Sequence, residues 1–116
     1  MSGTRVAAVL VARNKNGDIL DFYGCNIEVA RSVVYHAEEV VLIKAITHGF
    51  TWPLEVFVTS PSPAHRVPMC LICRGKFSYV NENCLVTVLD EKLEPVLTTS
   101  IVDSTKYPYF GKGFIS

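Results

Sequence analysis

Short runs of β-branched and other apolar residues recur along this chain and predict a set of strands. The first run, TRVAAVLVAR, predicts a largely buried strand over Arg5–Ala12. The Asn16-Gly17 pair that follows is a strong signal for a β-hairpin, so ILDFYGCNIE is expected to return antiparallel beside the first strand. LEVFVTS at residues 54–60 and CLVTVLD at residues 84–90 predict two further strands, and PVLTTSI predicts a weaker or edge strand.

Two longer stretches carry helical signals. From His36 to His48 the apolar residues recur at mixed three- and four-residue spacing over a wide face that includes Ile43 and Ile46, and Gly49 stands at a C-cap position. CLICRGKFSYV, starting at Cys70, predicts a second helix. PSPAHRVPM is expected to form a loop because of its prolines, RSVVY is expected to lead into the first helix, and the aromatic C-terminal tail is expected to be irregular. Strands interleaved with two helices predict an α/β sheet of two or three layers with right-handed crossovers.

The composition narrows the class of protein. With 116 residues, of which 49% are hydrophobic, the chain is long enough for a single domain over residues 1–116 with a core of its own. Eleven basic and eleven acidic residues give zero net charge, so we expect no nucleic acid polymer as a partner, whereas a small neutral ligand is compatible. No apolar run approaches the ~18 residues that a membrane span needs, so no membrane partner is expected.

The cysteines depend on the compartment for their interpretation. The beginning of the chain, MSGTRVAAVLVARNKNG, predicts a strand and a turn rather than an export signal, so a reducing, cytoplasmic location is expected. The four cysteines are then not expected to form a disulfide framework. Cys70 and Cys73, spaced as CLIC, instead indicate metal or redox chemistry, and Cys25 and Cys84 are expected to be packing residues.

The candidate chemistry lies in two short motifs, HAE at residues 36–38 and PMCLIC at residues 68–73. One imidazole and two thiolates suit zinc, which accepts nitrogen and sulfur ligands in a tetrahedron. His36, Cys70 and Cys73 are therefore the predicted ligands, at the starts of the two helices, and three protein ligands leave the fourth position for water. Taken singly, His36 could be structural and the cysteines could be buried apolar side chains, but the joint pattern favours the metal site.

Glu38 is the predicted proton carrier of this site. It lies close to the predicted metal without being needed as a ligand. A carboxylate in that position can take a proton from a metal-activated water and hand it to a leaving group.

His-x-Glu followed by Pro and Cys-x-x-Cys is the signature of zinc-dependent base deaminases. The chain resembles the cytidine deaminase family from about Val6 to Gly111, including GCNIE at residues 24–28, the Cys73-Arg74 pair and the terminal YPYFG. The resemblance implies a cytidine-deaminase-like α/β fold of three layers, with a mixed five-stranded sheet and helices on both faces but without the family's N-terminal helix. It also implies a homodimer or homotetramer whose subunits share active sites.

The same resemblance assigns roles to individual residues. Zinc is the implied cofactor, and Glu38 is the implied catalytic residue. Asn26 and Glu28 would hydrogen-bond the sugar, Ala37 would contribute to substrate binding, and Phe110 would lie near the pocket of a neighbouring subunit.

Two positions depart from the family's pattern. Met69 stands between Pro68 and Cys70, where the family has Pro-Cys-Gly-x-Cys. Glu39 follows the catalytic glutamate, where family members with three cysteine ligands often have arginine. With a neutral histidine ligand, two thiolates already balance the charge of zinc, so Glu39 is expected to be a tolerated residue of the first helical turn.

The resemblance implies zinc-dependent hydrolytic deamination of cytidine or 2′-deoxycytidine, a small nucleoside substrate, to the uridine product and ammonia. A second interpretation is deamination of a cytosine nucleoside antibiotic such as blasticidin S, because those relatives are also short and also carry the zinc motif. A third is a zinc-stabilised scaffold with the deaminase fold and without activity.

Overall fold

The structure is a computed structural model that describes residues 6–30, 33–59 and 71–106. In chain order the elements are β1 (Ala7–Arg13), β2 (Ile19–Cys25), β3 (Ile27–Ala30), β4 (Val33–Tyr35), α1 (Ala37–Thr47), β5 (Trp52–Thr59), α2 (Leu71–Asn81), β6 (Leu85–Leu89), β7 (Pro95–Ser100) and a 3₁₀ helix (Val102–Lys106). No helix in these ranges is long and apolar enough to cross a membrane. The predicted loop at residues 61–69 lies outside the described residues.

The predicted hairpin at Asn16-Gly17 is confirmed. β1 and β2 pair antiparallel from Ala7 opposite Cys25 to Arg13 opposite Ile19. Asn14 organises the turn, since its Oδ1 accepts hydrogen bonds from the backbone N–H groups of Asn16 and Asp18, both at 2.9 Å. Gly17 has a φ of 90°, a left-handed conformation that glycine adopts without a steric penalty.

Five strands form one mixed sheet in the order β2-β1-β5-β6-β7, as predicted. β5 and β6 are parallel, because α2 carries the chain back across the sheet, and the other neighbouring pairs are antiparallel. β7 pairs with β6 alone, which confirms the prediction of an edge strand for PVLTTSI.

Both helices share one buried cluster with the sheet. Val41 and Ala45 of α1, Phe77 of α2, and Leu10 and Val56 of the central strands are all fully buried in it. The described residues therefore supply two layers of the predicted three, and a helix on the opposite face stays a prediction.

The apolar face of α1 is narrower than the sequence pattern predicts. Ile43 and Ile46 are 55% and 41% exposed, whereas Val41, Leu42 and Ala45 are buried. Successive helical residues are about 100° apart, so positions 43 and 46 share a side that turns away from the one formed by Val41 and Ala45.

Two short segments differ from the sequence-based prediction. RSVVY does not simply lead into α1, because Val33–Tyr35 forms β4 and pairs antiparallel with β3 in a separate two-stranded sheet. The C-terminal tail is not irregular throughout, because Val102–Lys106 forms a 3₁₀ helix. Both segments are too short to carry a readable periodicity, so their pairing partners and neighbours decide their conformation.

Candidate metal centre

His36 occupies the junction between β4 and α1. β4 ends at Tyr35, and His36 follows with extended backbone angles (φ −73°, ψ 153°) as the N-cap of α1. The strand therefore fixes the backbone on one side of the imidazole and the helix fixes it on the other. This confirms the prediction that the histidine opens the helix.

Cys73 lies in the first turn of α2 and is fully buried. Its Sγ is 3.2 Å from Nδ1 of His36, although the two residues are 37 positions apart in the chain. The structure thus brings together the starts of two helices, as the sequence analysis expects for a shared metal ion.

The chemistry of this donor pair fits zinc. Zn–N and Zn–S bonds of about 2.05 and 2.3 Å at a tetrahedral angle would separate the two donor atoms by about 3.5 Å. The observed 3.2 Å needs little adjustment to reach that separation. A nitrogen and a sulfur donor in a partly buried setting are ligand types that zinc accepts.

The two residues after His36 are buried as well. Ala37 is fully buried and Glu38 is 7% exposed, in the first turn of α1. A carboxylate is rarely buried to this extent unless it has an interaction partner or a role in the chemistry of a site. The backbone therefore holds Glu38 within two residues of the candidate zinc ligand, in a poorly hydrated position.

Glu39 is the third member of the cluster of potential ligands. One ligand atom from each of His36, Glu39 and Cys73 lies within 4.8 Å of the others. Both Glu39 oxygens already have protein partners. Oε1 accepts a 2.9 Å hydrogen bond from the backbone N–H of His36, and Oε2 pairs with Nζ of Lys76 on α2.

These contacts determine the charge state of Glu39. Burial by itself would raise the pKa of this carboxyl group, but the hydrogen bond from Lys76, the hydrogen bond from His36 and the charge of Lys76 act in the opposite direction. The net effect lowers its pKa below the ordinary value. Glu39 is therefore ionised in the neutral range.

The residues predicted to bind the sugar lie beside this centre. Asn26 connects β2 to β3, and its Oδ1 accepts a 3.2 Å hydrogen bond from the backbone N–H of Val6. In the β3–β4 ladder Ile27 is opposite Tyr35, so continuing the register by one residue places Asn26 across from His36. Glu28 belongs to β3, whose backbone alone is described. Sugar contacts by Asn26 and Glu28 stay a prediction.

Two predicted site residues lie outside the described residues. They are Cys70, the predicted third zinc ligand, and Phe110, the predicted residue of the subunit interface. Their roles stay predictions, as does the contribution of Ala37 to substrate binding.

Two features of the centre were missed by sequence reasoning. The strand β4, which aligns Asn26 with His36, carries a signal in the adjacent β-branched residues Val33 and Val34, but the segment is too short to separate from a helix approach. The pairing of Glu39 with Lys76 has no local signal, because the two residues belong to different helices.

Comparison with known proteins identifies the fold. No protein-family model matches the sequence, and no curated protein matches it. Among solved structures, the chain is similar to the cytidine deaminase of Burkholderia pseudomallei, with a TM-score of 0.71 and 22% identity over 92% of this chain and 83% of that one. It is also similar to the cytidine deaminase of Mycobacterium leprae (TM-score 0.59, 14% identity, 87% and 77% of the two chains) and to that of Mycobacterium tuberculosis (TM-score 0.58, 20% identity, 96% and 82%).

These similarities confirm the resemblance at the level of the fold. Identities between 14% and 22% are too low to carry substrate or mechanism from one protein to another, whereas the shared architecture is clear. The cluster of His36, Glu38 and Cys73 therefore has to be interpreted by its own chemistry.

Proposed function

We propose that this chain, which has the cytidine deaminase fold, is a zinc-dependent hydrolase that converts cytidine or 2′-deoxycytidine to the uridine product and ammonia. The supporting observation is the 3.2 Å approach of His36 Nδ1 to Cys73 Sγ at the starts of two helices, beside the buried Glu38. The net reaction replaces the exocyclic C4–NH₂ bond of cytosine with a C4=O bond, consuming one water and releasing one ammonia.

In this proposal His36, Cys73 and Cys70 hold the zinc ion. Zinc at such a position lowers the pKa of a water molecule to about 7 and so supplies a nucleophile at neutral pH. The sulfur of Cys73 is fully buried, which excludes bulk water from that side of the centre. The N–H groups at the start of α2 favour the thiolate form that metal binding requires.

Glu38 moves the protons. Its carboxylate accepts a proton from the attacking water and delivers it to the departing amino group, so that ammonia can leave as a neutral molecule. The residue is 7% exposed, and a buried carboxylate exchanges protons with the substrate in preference to solvent.

Asn26 and Glu28 orient the sugar of the nucleoside. The hydrogen bond between Asn26 and Val6 fixes the amide beside β1, and the β3–β4 ladder runs towards His36. Polar groups held in this way discriminate against a ligand that lacks the matching hydroxyl group, because they would then be left unpaired. We further propose a cytoplasmic homodimer or homotetramer, in which Phe110 contacts a neighbouring subunit.

The test is turnover of cytidine and 2′-deoxycytidine by the purified protein, followed as loss of ultraviolet absorbance. Glu38→Gln preserves the size of the side chain and should reduce the rate by roughly 10²–10⁴-fold, the usual contribution of general acid–base catalysis. Glu82→Gln is the matched control, because Glu82 is an exposed residue after α2, and it should leave the rate unchanged. Chelation of zinc should abolish turnover, and added zinc should restore it.

Other results would point to the other interpretations. Turnover of blasticidin S without turnover of either nucleoside would identify an antibiotic deaminase. One zinc ion per chain with no turnover of any of the three would favour the scaffold without activity. If the protein contains no zinc and a chelator leaves its stability unchanged, the proposed centre is wrong.

A further inference from the structure

An ion pair joins the two helices close to the candidate zinc ligands. On α1, Glu39 lies three residues after His36, and on α2, Lys76 lies three residues after Cys73. Residues three apart in a helix are neighbours on the same side, about one turn along the axis. The Glu39–Lys76 pair therefore bridges the helices one turn beyond the point where His36 meets Cys73.

The same carboxylate also acts on the backbone of a ligand residue. While Oε2 pairs with Lys76, Oε1 accepts the hydrogen bond from the backbone N–H of His36 at 2.9 Å. One side chain thus connects the histidine, through its main chain, with the helix that carries Cys73. Glu39 is only 8% exposed, so water competes weakly for its oxygens.

We infer that Glu39 and Lys76 are positioning residues that hold His36 and Cys73 at ligand distance before the metal binds. This inference rests on the zinc site proposed above. A site assembled in advance does not have to order its ligands at the moment of binding, and that saving appears as tighter metal binding. Residues that orient metal ligands typically contribute 10- to 100-fold to metal affinity.

The alternative role for Glu39 is that of a direct ligand, since it belongs to the same cluster. The geometry favours positioning, because each oxygen already accepts from a protein donor. Ligation would require the carboxylate to give up at least one of these contacts. Lys76 would then lose its partner and have no influence on the metal, which gives the two roles different experimental outcomes.

The experiment compares zinc affinity, by competition with a chromophoric chelator, for the full chain and the variants Lys76→Met, Glu39→Gln and the double variant. Lys76→Met keeps the long apolar part of a side chain that is half-exposed, so folding is not at risk. Glu39→Gln keeps an acceptor for the His36 N–H and removes the charge. Lys92→Met, at an exposed turn position, is the matched control.

Two further measurements separate positioning from general stabilisation. Urea unfolding of each metal-free variant reports the stability of the fold. The visible spectrum of the cobalt(II) form reports ligand geometry through its d–d and thiolate bands. A pair that merely stabilises the fold would alter the first measurement and leave both the zinc affinity and the cobalt spectrum unchanged.

We expect Lys76→Met and Glu39→Gln each to weaken zinc binding by about tenfold, with altered cobalt bands. The double variant should be little weaker than either single variant, because both changes break the same pair. Unchanged affinity in Lys76→Met overturns the inference. A loss of binding in Glu39→Gln with normal binding in Lys76→Met also overturns it and identifies Glu39 as a ligand.

The zinc content of the unmodified protein distinguishes the two proposals. One zinc ion per chain, with equal affinity in all variants, would refute the positioning role and leave the zinc site intact. An unmodified protein that binds no zinc would refute the site and the positioning role together.

Discussion

Replacing Gly24 with alanine should destabilise the protein, because α1 passes directly over this glycine of β2. A Cβ atom at position 24 would lie 2.9 Å from Cγ1 of Val40 and 3.1 Å from Cγ1 of Val41. Both distances are shorter than ordinary van der Waals contact. The helix that begins with the candidate metal ligand thus packs against the sheet at a position that has no room for a side chain.

The magnitude follows from two opposing effects. Overpacking by one methyl group costs about 1–3 kcal/mol, and valine relieves it poorly because its χ1 angle is strongly restricted in a helix. Replacing glycine also reduces the entropy of the unfolded chain, which returns up to about 1 kcal/mol. The net loss in the free energy of unfolding should be about 1–2 kcal/mol, or a Tm lower by roughly 4–8 °C for a domain of this size.

Gly75 provides the matched control, since the same substitution there meets no heavy atom within 4 Å. Gly75 lies within α2 and is exposed, so alanine should stabilise the protein by about 0.5–1 kcal/mol through helix propensity. Urea unfolding and thermal melting, both at saturating zinc, measure the two variants against the unmodified chain. Saturating metal keeps the ligand contribution to stability equal in all samples.

A Gly24→Ala variant as stable as the unmodified protein would refute this account of the β2–α1 contact. The double variant Gly24→Ala/Val40→Ala offers a second check, because it removes the nearest colliding methyl group. Its loss of stability should be smaller than the sum of the two single losses by at least about 0.5 kcal/mol. Simple additivity would mean that Val40 is not the obstacle.

Two predictions follow from the pKa shifts. The pKa of Glu39 is lower in the folded chain than its ordinary value, so its stabilising contribution is complete above that value and is lost as the pH falls through the folded pKa. Metal-free protein should therefore lose stability below about pH 5, and Glu39→Gln should show a shallower decline in urea midpoints, whereas parallel curves would contradict the assignment. Burial, together with the charge of Glu55, raises the pKa of Cys84 to about 12, so this thiol should resist alkylation at pH 8 until the protein unfolds. Cys25 is half-buried and should react in the native state, and peptide mapping that found equal labelling of both thiols would refute the burial argument.

Local sequence signals were sufficient for most of the elements. Asn16-Gly17 predicts a hairpin because glycine at that position can take the positive φ that the turn requires. The helix between His36 and Gly49 is bounded by signals that act within one turn, so its limits could be predicted closely. Segments with weak local preference were predicted less well, and β4 exists because β3 is available to pair with it.

The types of the ligands could also be predicted from the sequence, because histidine and cysteine side chains bind zinc wherever the fold brings them together. Their approach could not, since His36 and Cys73 are 37 residues apart and meet through the packing of two helices on one sheet. The same holds for the Glu39–Lys76 pair and for the contact of Gly24 with Val40. Backbone conformation and donor chemistry are local properties that a few neighbouring residues determine. Distances between side chains on different elements depend on how the entire core packs, and here the tertiary structure alone decided them.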